Sequence, residues 1–287
     1  MLSLLPAIKI HVWGGLGSQL YALALKIDIQ RSFKTRKVVL IFHNSGVTRR
    51  DAELGSAFPQ LTQSVKLDYK ELPHPTAKLS SRPSLLGKLI KSFRAMLFKI
   101  GFLATANNDN EFSKLAPWVF SLRGHYSNRR LSTETLSTVA QSLRVEERAR
   151  HLRYSHFELG IHYRLGDLMT LDQKKPLAQD RLASGLIQLE QALNSQKIVV
   201  FSDSLDKAVE MLSFIPELHV PDTKLSALDT ISALSSTSKF MGTPSKITEW
   251  IVLLRLTILP NPHVWVPRDM KVQFQRITSK HQEINYY

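Results

Sequence analysis

The sequence contains no cysteine among its 287 residues, which excludes disulfide bonds, thiolate zinc sites and cysteine nucleophiles. It also lacks any run of about 18 apolar residues, the length that would predict a membrane-spanning helix. Acidic residues are scarce, because 24 Asp and Glu stand against 38 Lys and Arg and leave a net charge of +14. This excess predicts a partner that carries phosphate: nucleic acid, anionic lipid or a small phosphorylated ligand.

The positive charge is spread along the whole chain, with a denser stretch between Lys78 and Arg153. This distribution argues against a dedicated arm or tail that binds nucleic acid. The first residues, MLSLLPAIKIHVW, lack the basic region of a secretory signal. Together with the absence of cysteine, which is typical of reducing compartments, this predicts a cytoplasmic protein.

A strand, a glycine-rich turn, a helix and a second strand are predicted near the start of the chain. The alternating segment Ala7–Val12 is typical of a strand, and Trp13–Gly17 (WGGLG) is typical of a turn. Ser18 is expected to cap a helix that ends near Lys34, before a strand over Lys37–Phe42. Such a unit belongs to a parallel sheet.

The middle of the chain shows less regular patterns. Residues 44–82 are polar, contain prolines at 59, 73 and 75, and predict mostly loops. Residues 85–100 predict a basic amphipathic helix, in which apolar side chains share one face and lysines and arginines mark the rest. Two interpretations stay open for this helix: its apolar face packs in the core, or the helix lies on an anionic membrane.

Strands and helices alternate clearly after about residue 150. Strands are predicted over Glu158–Tyr163, Lys197–Phe201, 218–220, Lys239–Met241 and His263–Val266. Helices are predicted over about 177–194, 205–213, 224–235 and 246–258. The alternation predicts an α/β fold with ligands at the carboxyl ends of parallel strands. The simplest organisation is two α/β halves, residues 1–150 and 151–287, with a cleft between them.

Four predicted strand ends carry groups that can bind a ligand. The glycine turn precedes a helix whose amino end favours an anion. In HYRLGD, Arg164 offers a planar charged fork for phosphate, and Asp167 can brace it. Asp203 in FSDS can cap the next helix or accept hydrogen bonds from a nucleoside. In GTPS, Thr243 or Ser245 would cap a helix whose amino end can hold a phosphate. Each strand end also has a purely structural alternative: a turn, a surface ion pair or a helix cap.

Other catalytic patterns are missing from the sequence. It has no HExxH, no Gly-x-Ser-x-Gly, no Asp-x-Asp for a metal–diphosphate bridge, and no histidines at metal-ligand spacing. The glycine turn lacks the third glycine of a dinucleotide fingerprint and the Gly-Lys-Ser/Thr of a P-loop. We therefore expect no metal site and no cofactor.

The motifs resemble, in order, those of the bacterial and eukaryotic α-1,2-fucosyltransferases. WGGLGSQLYALALK resembles the GGLGNQ motif, HYRLGDL the HxRRGD motif, and FSDS the FSDD motif of that family. MGTPSKITEWIVLL resembles its segment in which a Ser/Thr run opens a Trp-containing helix, and LRGHYSNRRL its GY-Q-S stretch more loosely. The resemblance covers residue 12 to about 256. It implies a GT-B-like fold, two Rossmann-type halves with parallel sheets facing a cleft.

The resemblance also implies a reaction: inverting, metal-independent transfer of fucose from GDP-fucose to a sugar hydroxyl. Arg164 matches the arginine that would bind the donor diphosphate, and Asp203 would lie near the nucleoside. Asp167, His162 and His11 are the candidates for the base that deprotonates the acceptor, and the sequence does not choose among them. The residues matched to donor-binding motifs are Gly14, Gly15, Gly17, Gln19, Asp203, Thr243 and Ser245.

Three departures from the family pattern concern the donor. Leu165 replaces the second arginine of HxRRGD and removes a supporting charge, Ser18 replaces an asparagine, and Ser204 replaces the second aspartate. A glycosyltransferase of the same fold with another nucleotide-sugar donor is therefore the first alternative, and a basic nucleic-acid-binding protein is a more distant one. In the leading interpretation the acceptor is a lipid-linked glycan of O-antigen or capsule synthesis. The basic helix would then hold the enzyme at the inner face of the cytoplasmic membrane.

Overall fold

The structure is a computed structural model that describes residues 6–43, 52–58, 85–166, 175–190 and 197–287. Contacts divide the chain into two units, Met1–Leu131 and Ser132–Tyr287, which we call unit 1 and unit 2. Each unit contains a parallel β-sheet with helices packed on it. The α/β class with two parallel sheets, which the sequence predicts, is therefore confirmed.

Unit 1 is built on four described strands. These are β1 (Ile8–Trp13), β2 (Val38–His43), β3 (Leu103–Ala104) and β4 (Ser121–Arg123), in the order β2-β1-β4-β3. Its helices are α1 (Leu16–Ser32), α2 (Glu53–Ala57), α3 (Leu85–Lys99) and α4 (Asp109–Ser113). The strands β1 and β2 consist mainly of Val, Ile and Leu and are buried almost throughout, as expected of parallel strands covered on both faces.

Unit 2 contains a longer parallel sheet in the order β10-β9-β8-β5-β6-β7. Its strands are β5 (Leu159–Tyr163), β6 (Ile198–Ser202), β7 (Leu218–His219), β8 (Lys239–Gly242), β9 (Val264–Val266) and β10 (Ile284–Tyr286). Its helices are α5 (Thr133–Ser142), α6 (Val145–Leu152), α7 (Gln179–Glu190), α8 (Leu205–Met211), α9 (Ala227–Leu234), α10 (Lys246–Ile258) and α11 (Lys271–Ile277). Every residue of the central strand β5 is buried.

Residues 132–150, which the sequence analysis assigned to the amino-terminal half, group with unit 2 in the structure. The helix α5 packs on α10, and α6 packs on α9. An ion pair between Arg148 Nη1 and Asp229 Oδ1, 3.0 Å apart, joins α6 to α9. These contacts lie inside the second unit, so the division falls at Leu131 and not near residue 150.

A buried arginine holds the loops of each unit by donating to backbone carbonyl groups. In unit 1, Arg36 donates to the carbonyl oxygens of Pro6, Pro117 and Val119. In unit 2, Arg255 donates to those of Leu234, Thr237, Ser238 and Pro262. Burial lowers the pKa of Arg255 to about 9, so its guanidinium stays charged at neutral pH. Both arginines therefore replace lost hydration with carbonyl dipoles.

The helix α3 exposes its apolar stripe. Its exposed apolar side chains follow at spacings of four, three and four residues: Leu89, Phe93, Met96 and Ile100. This spacing places them on one side of a helix. Of the apolar face that the sequence predicts, Leu89, Phe93 and Ile100 therefore do not pack in the core, whereas Leu97 is partly buried. No helix in the described ranges is long and apolar enough to span a membrane.

Candidate functional site

The candidate site of unit 2 lies at the carboxyl ends of three neighbouring strands, β8, β5 and β6. Arg164 follows β5, Asp203 follows β6 and Thr243 follows β8. Because these parallel strands are adjacent, their carboxyl ends meet at one edge of the sheet, the edge at which α/β proteins bind ligands. The structure thus brings together residues from three of the sequence motifs.

Arg164 and Asp203 form an ion pair at this edge. The guanidinium Nη1 of Arg164 contacts Oδ2 of Asp203, and both side chains are partly exposed, at 21% and 31%. The other carboxylate oxygen of Asp203 accepts a hydrogen bond of 3.0 Å from the backbone N–H of Leu165. Asp203 therefore orients both the arginine and the turn that carries it. The sequence analysis gave this bracing role to Asp167, which lies outside the described residues.

The contact with Asp203 explains two further features of the motifs. A Cβ atom on Gly166 would collide with the Asp203 carboxylate, so a larger residue at this position would displace the partner of Arg164. The expected helix cap by Asp203 is not formed, because its carboxylate contacts the guanidinium of Arg164 and the backbone N–H of Leu165. The N-cap residue of α8 is Ser204 instead, and its side chain makes no capping hydrogen bond.

Thr243 ties β8 to β5. Its hydroxyl accepts a hydrogen bond of 2.8 Å from the backbone N–H of Arg164 and donates to the carbonyl oxygen of His162 at 3.2 Å. The cap of α10 is Ser245, whose Oγ accepts from the backbone N–H of Thr248 at 3.0 Å. The sequence left Thr243 and Ser245 as alternative caps. The structure assigns the cap to Ser245 and leaves Thr243 to position Arg164.

His162 is buried and supports the amino end of α10. Its Nδ1 lies 2.8 Å from Oγ1 of Thr248. The Thr248 hydroxyl donates to the carbonyl of Thr243 at 2.6 Å, so it accepts from the Nδ1–H of the histidine. Burial, and then the charge of Arg164, lower the pKa of His162 to about 3 and keep it neutral. This favours a positioning role over that of the acceptor base. Thr248 was not predicted, although it stands three residues after the cap.

Leu165 points into the core of unit 2. Its side chain is fully buried in the hydrophobic cluster that also contains Tyr163 and Leu177. The sequence analysis interpreted this leucine as the loss of a charge that supports Arg164. In this structure the position lies among apolar side chains, where an unpaired charge would cost several kcal/mol. Arg164 itself pairs with Asp203, which follows the neighbouring strand β6.

The glycine turn of unit 1 lets α1 begin directly after β1. Gly14 has a φ of +91°, a conformation that side chains with a Cβ rarely adopt. Gly15 is the N-cap residue, and the helix begins at Leu16. The expected cap by Ser18 is therefore wrong, because Ser18 already lies in the first helical turn and its N–H donates to the Gly15 carbonyl at 2.9 Å.

Gln19 joins this turn to the short helix α2. Its side-chain Nε2 donates to the carbonyl of Gly14 at 3.0 Å, and its Oε1 accepts from the backbone N–H of Leu54 at 2.9 Å. Gln19 is buried, and so is Gly17 within α1. The structure thus places the predicted glycines and Gln19 together in unit 1, and it uses both ends of the glutamine amide to brace the turn.

A pair of histidines lies at the carboxyl edge of the unit 1 sheet. Nδ1 of His11 is 2.8 Å from Nε2 of His43, and the Trp13 ring stacks on His43 with centroids 4.6 Å apart. Burial lowers the pKa of His11 to about 3 and of His43 to about 4, and Arg123 contributes to both shifts. Only His11 was predicted as a site residue. His43 and Arg123 could have been found as the last residues of their strands, but β4 was too short to recognise.

A cavity of about 600 Å³ lies in unit 2 between α5, α6 and the carboxyl end of α10. The candidate site is at the amino end of α10, so the cavity includes none of the predicted residues. Among the residues that the structure describes, no three His, Cys, Asp or Glu side chains are grouped to hold a metal ion.

Comparisons with known proteins find similar structures but no matching sequences. No protein-family profile matches the chain, and no curated protein sequence matches it. The fucosyltransferase NodZ from Bradyrhizobium is 14% identical at a TM-score of 0.46, over 86% of this chain and 92% of NodZ. The heptosyltransferase WaaC of E. coli, solved with ADP, is 12% identical at a TM-score of 0.43, over 86% of this chain and 84% of WaaC. POFUT1 in complex with GDP-fucose is 12% identical at a TM-score of 0.39, over 89% of this chain and 96% of POFUT1.

Proposed function

We propose that the chain is a glycosyltransferase that binds the diphosphate of a nucleotide sugar at the carboxyl ends of β5, β6 and β8. The observation that carries the proposal is Arg164, held by Asp203 and Thr243 on the same sheet edge as the capped amino end of α10. A guanidinium fork and a helix amino end both favour phosphate oxygens. The guanidinium has five N–H donors, so it can serve a phosphate while Asp203 keeps it oriented.

This arrangement suits an inverting transfer. The acceptor hydroxyl oxygen forms a bond to the anomeric carbon, the bond from that carbon to the diphosphate breaks, and the hydroxyl proton passes to a base. Negative charge grows on the departing diphosphate, and Arg164 together with the amino end of α10 would stabilise it. We propose that no metal takes part, since these groups supply the positive potential that the leaving group needs.

For the donor we propose GDP-fucose, and for the acceptor a sugar hydroxyl of a glycan that receives an α-1,2 linkage. The support is the order of the motifs, together with the contacts that join three of them at one sheet edge. A different nucleotide-sugar donor on the same fold is the alternative, because Ser18 and Ser204 stand where the family pattern has other polar residues.

A donor screen with Arg164→Ala beside the unchanged protein tests the proposal. GDP-, UDP-, ADP- and CMP-sugars are compared by binding and by turnover, and we expect GDP-fucose to respond. Loss of one such charge-stabilising group lowers the rate by about 100- to 1,000-fold. The matched control is Arg181→Ala, an exposed arginine of unit 2 that pairs with Asp269 at 2.8 Å. Turnover by Arg164→Ala at the unchanged rate, or the absence of any response to these donors, would overturn the proposal. Turnover of another sugar alone would establish the alternative donor.

We also propose that α3 binds the anionic inner face of the cytoplasmic membrane, where a lipid-linked acceptor would lie. Its exposed stripe continues at Trp118, an exposed side chain whose indole N–H donates to the carbonyl of Ile100 at 2.8 Å. Residues 72–108 contain no Asp or Glu, but six Lys and Arg. Apolar side chains flanked by cations suit an anionic bilayer. A second copy of the chain would instead set like charges against each other.

Sedimentation with vesicles that contain phosphatidylserine tests this surface. Phe93→Ser removes a side chain that is 59% exposed, and we expect it to weaken vesicle binding about tenfold because the apolar area inserted is lost. The matched control is Ile187→Ser in unit 2, where the side chain is 65% exposed. Lys88→Glu combined with Lys91→Glu should weaken binding to anionic vesicles and not to neutral ones. Equal binding by all these variants would contradict the proposal.

A further inference from the structure

A cluster of basic side chains at the carboxyl edge of the unit 1 sheet has no acidic partner in the part of the chain that the structure describes. His11 on β1 lies opposite Arg123 on β4 in the register of the sheet, and His43 contacts His11 from β2. Arg94 on α3 is close enough that its charge contributes to lowering the pKa of both His11 and Arg123. Within the described ranges, none of these four side chains pairs with a carboxylate. Positive charge is thus concentrated where parallel sheets bind ligands.

Unlike Arg129 and Arg148, whose buried nitrogens also lack hydrogen bonds but which pair with carboxylates, Arg123 has no carboxylate partner among the described residues. Its Nε is buried and has no hydrogen-bond partner among the described residues. By contrast, Arg36 and Arg255 donate to several backbone carbonyls, and Arg164 pairs with Asp203. A buried donor without a partner costs about 1–3 kcal/mol, so native structures leave few of them unless a ligand, ion or water completes the site.

The two histidines shape the surroundings of Arg123 without neutralising it. They share a single N–H across 2.8 Å, so one ring donates and the other accepts. Burial is the main cause of their lowered pKa, and Arg123 adds to it, with Lys9 and Arg94 acting on His11 as well. Both rings therefore stay neutral and leave the guanidinium groups of Arg123 and Arg94 as the fixed charges of the cluster. A negative group beside them would act in the opposite direction and raise the pKa of the pair.

We propose that this edge of unit 1 binds an oxyanion, a phosphate or a carboxylate, on the guanidinium of Arg123 beside the His11–His43 pair. The planar fork of arginine matches two oxygens of such a group, and the side chain of Arg123 is only partly buried. In a glycosyltransferase, and here the inference rests on the function proposed above, the anion would belong to the acceptor. Its source would be either the phosphate of a lipid-linked acceptor or the carboxylate of an acidic sugar.

Anion titrations that need no nucleotide sugar test the site. Methyl phosphate and glucuronate are added separately to the full chain carrying Arg164→Gln, which removes the phosphate-binding arginine of unit 2. The imidazole nitrogens of His11 and His43 are followed by NMR, with assignments from single His→Gln variants. We expect one of the two anions to saturate these signals and to raise the pKa of the pair. Which anion does so identifies the source.

Substitution of Arg123 then separates a built site from general attraction to a basic protein. Arg123→Gln should weaken binding of that anion about 10- to 100-fold, because a charge-assisted pair is lost. Arg130→Gln, which removes an exposed arginine of unit 1, should have no effect. Arg123→Lys keeps the charge and loses the fork, so it should bind with intermediate strength, and it provides the test if the glutamine variant does not fold.

Two results would overturn the inference: histidine signals that respond to neither anion, or equal anion binding by the Arg123 and Arg130 variants. Because no donor is used, failure here leaves the donor screen untouched. Failure of the donor screen would remove the assignment to an acceptor and leave the oxyanion site itself standing.

Discussion

The two units place an arginine at the carboxyl edge of a parallel sheet, but they treat its charge differently. In unit 2, Arg164 is paired with Asp203, and its backbone is bonded to Thr243. In unit 1, Arg123 pairs with no carboxylate among the described residues, and its Nε lacks a hydrogen bond. Similar topology therefore does not dictate similar electrostatics. An arginine oriented by an aspartate suits a group that must be placed accurately, and an uncompensated one suits an anion brought by a ligand.

The buried histidines differ in the same sense. His162 in unit 2 donates to Thr248 and so joins β5 to the cap of α10. His11 and His43 in unit 1 bond to each other, so their contact joins two neighbouring strands and reaches no helix. The edge of unit 1 is held by Gln19 at the glycine turn and by the hydroxyl of Tyr126, which lies 2.8 Å from the carbonyl oxygen of His11.

The largest expected difference between the units is in their stability after a buried arginine is replaced. Arg255→Met leaves several buried carbonyls without donors, and we expect it to lower the free energy of unfolding of unit 2 by about 3 kcal/mol or more. Arg36→Met should act in the same way on unit 1. Hydrogen exchange followed by mass spectrometry measures each unit separately. Loss of protection in both units from either substitution would show that the two are not independent in stability.

Lowering the pH should destabilise both units through their neutral histidines. The pKa is about 3 for His11 and His162 and about 4 for His43, whereas unfolded histidine titrates near about 6.5. Below pH ~6.5 the histidines bind protons in the unfolded state but stay neutral in the folded state. The free energy of unfolding therefore falls as the pH falls. Each of these histidines should lower the free energy of unfolding by about 2 kcal/mol between pH 6.5 and 5.

Single substitutions assign this pH dependence to one unit. Asparagine can replace the Nδ1–H donor of His162, so His162→Asn should flatten the pH dependence of unit 2 alone, as measured by hydrogen exchange at pH 7 and pH 5. His43→Gln should reduce that of unit 1 by about half, because His11 still titrates, and His11→Gln combined with His43→Gln should flatten it. An unchanged pH dependence in both variants would contradict the assignment to these rings.

The smallest effect should come from making Arg164 resemble Arg123. Asp203→Asn keeps an acceptor for the backbone N–H of Leu165 and removes the ion pair that orients the guanidinium. We expect kcat with the responding donor to fall about tenfold, because the phosphate-binding group is less well placed. Asp206→Asn, which alters an exposed acid in the first turn of α8, is the control. Equal kcat for the two variants would show that the pairing does not matter.

Much of the fold could be predicted where hydrophobic patterns are long. The bounds of α10 were predicted as they are observed, at residues 246 and 258, and the predicted strands β1, β2, β5, β6, β8 and β9 differ from the observed ones by one residue at an end. The strands β3, β4 and β10 were not predicted. They contain only two or three residues each, which is too short for any alternation to show. They are recognised as strands only by their pairing with neighbouring strands.

The candidate site was predictable as a set of strand ends and not as a set of contacts. HYRLGD and FSDS identified Arg164 and Asp203, because a polar residue after an apolar strand reaches the carboxyl edge of a parallel sheet. Their pairing depends on β6 lying next to β5, which no local pattern expresses. The same applies to Thr248, which is recognised as a partner of His162 only when β5 and α10 are brought together.

The sequence by itself determined the composition of this protein and its local elements: the net charge of +14, the absence of cysteine, the glycine turn and the apolar period of each long strand and helix. These depend on residues a few positions apart. Only the tertiary structure decided which charges are compensated, because an ion pair such as Arg164–Asp203 joins residues far apart in the chain through the order of the strands. That order also leaves Arg123 beside two neutral histidines and, among the residues that the structure describes, no acid, which is the reason to expect an anion there.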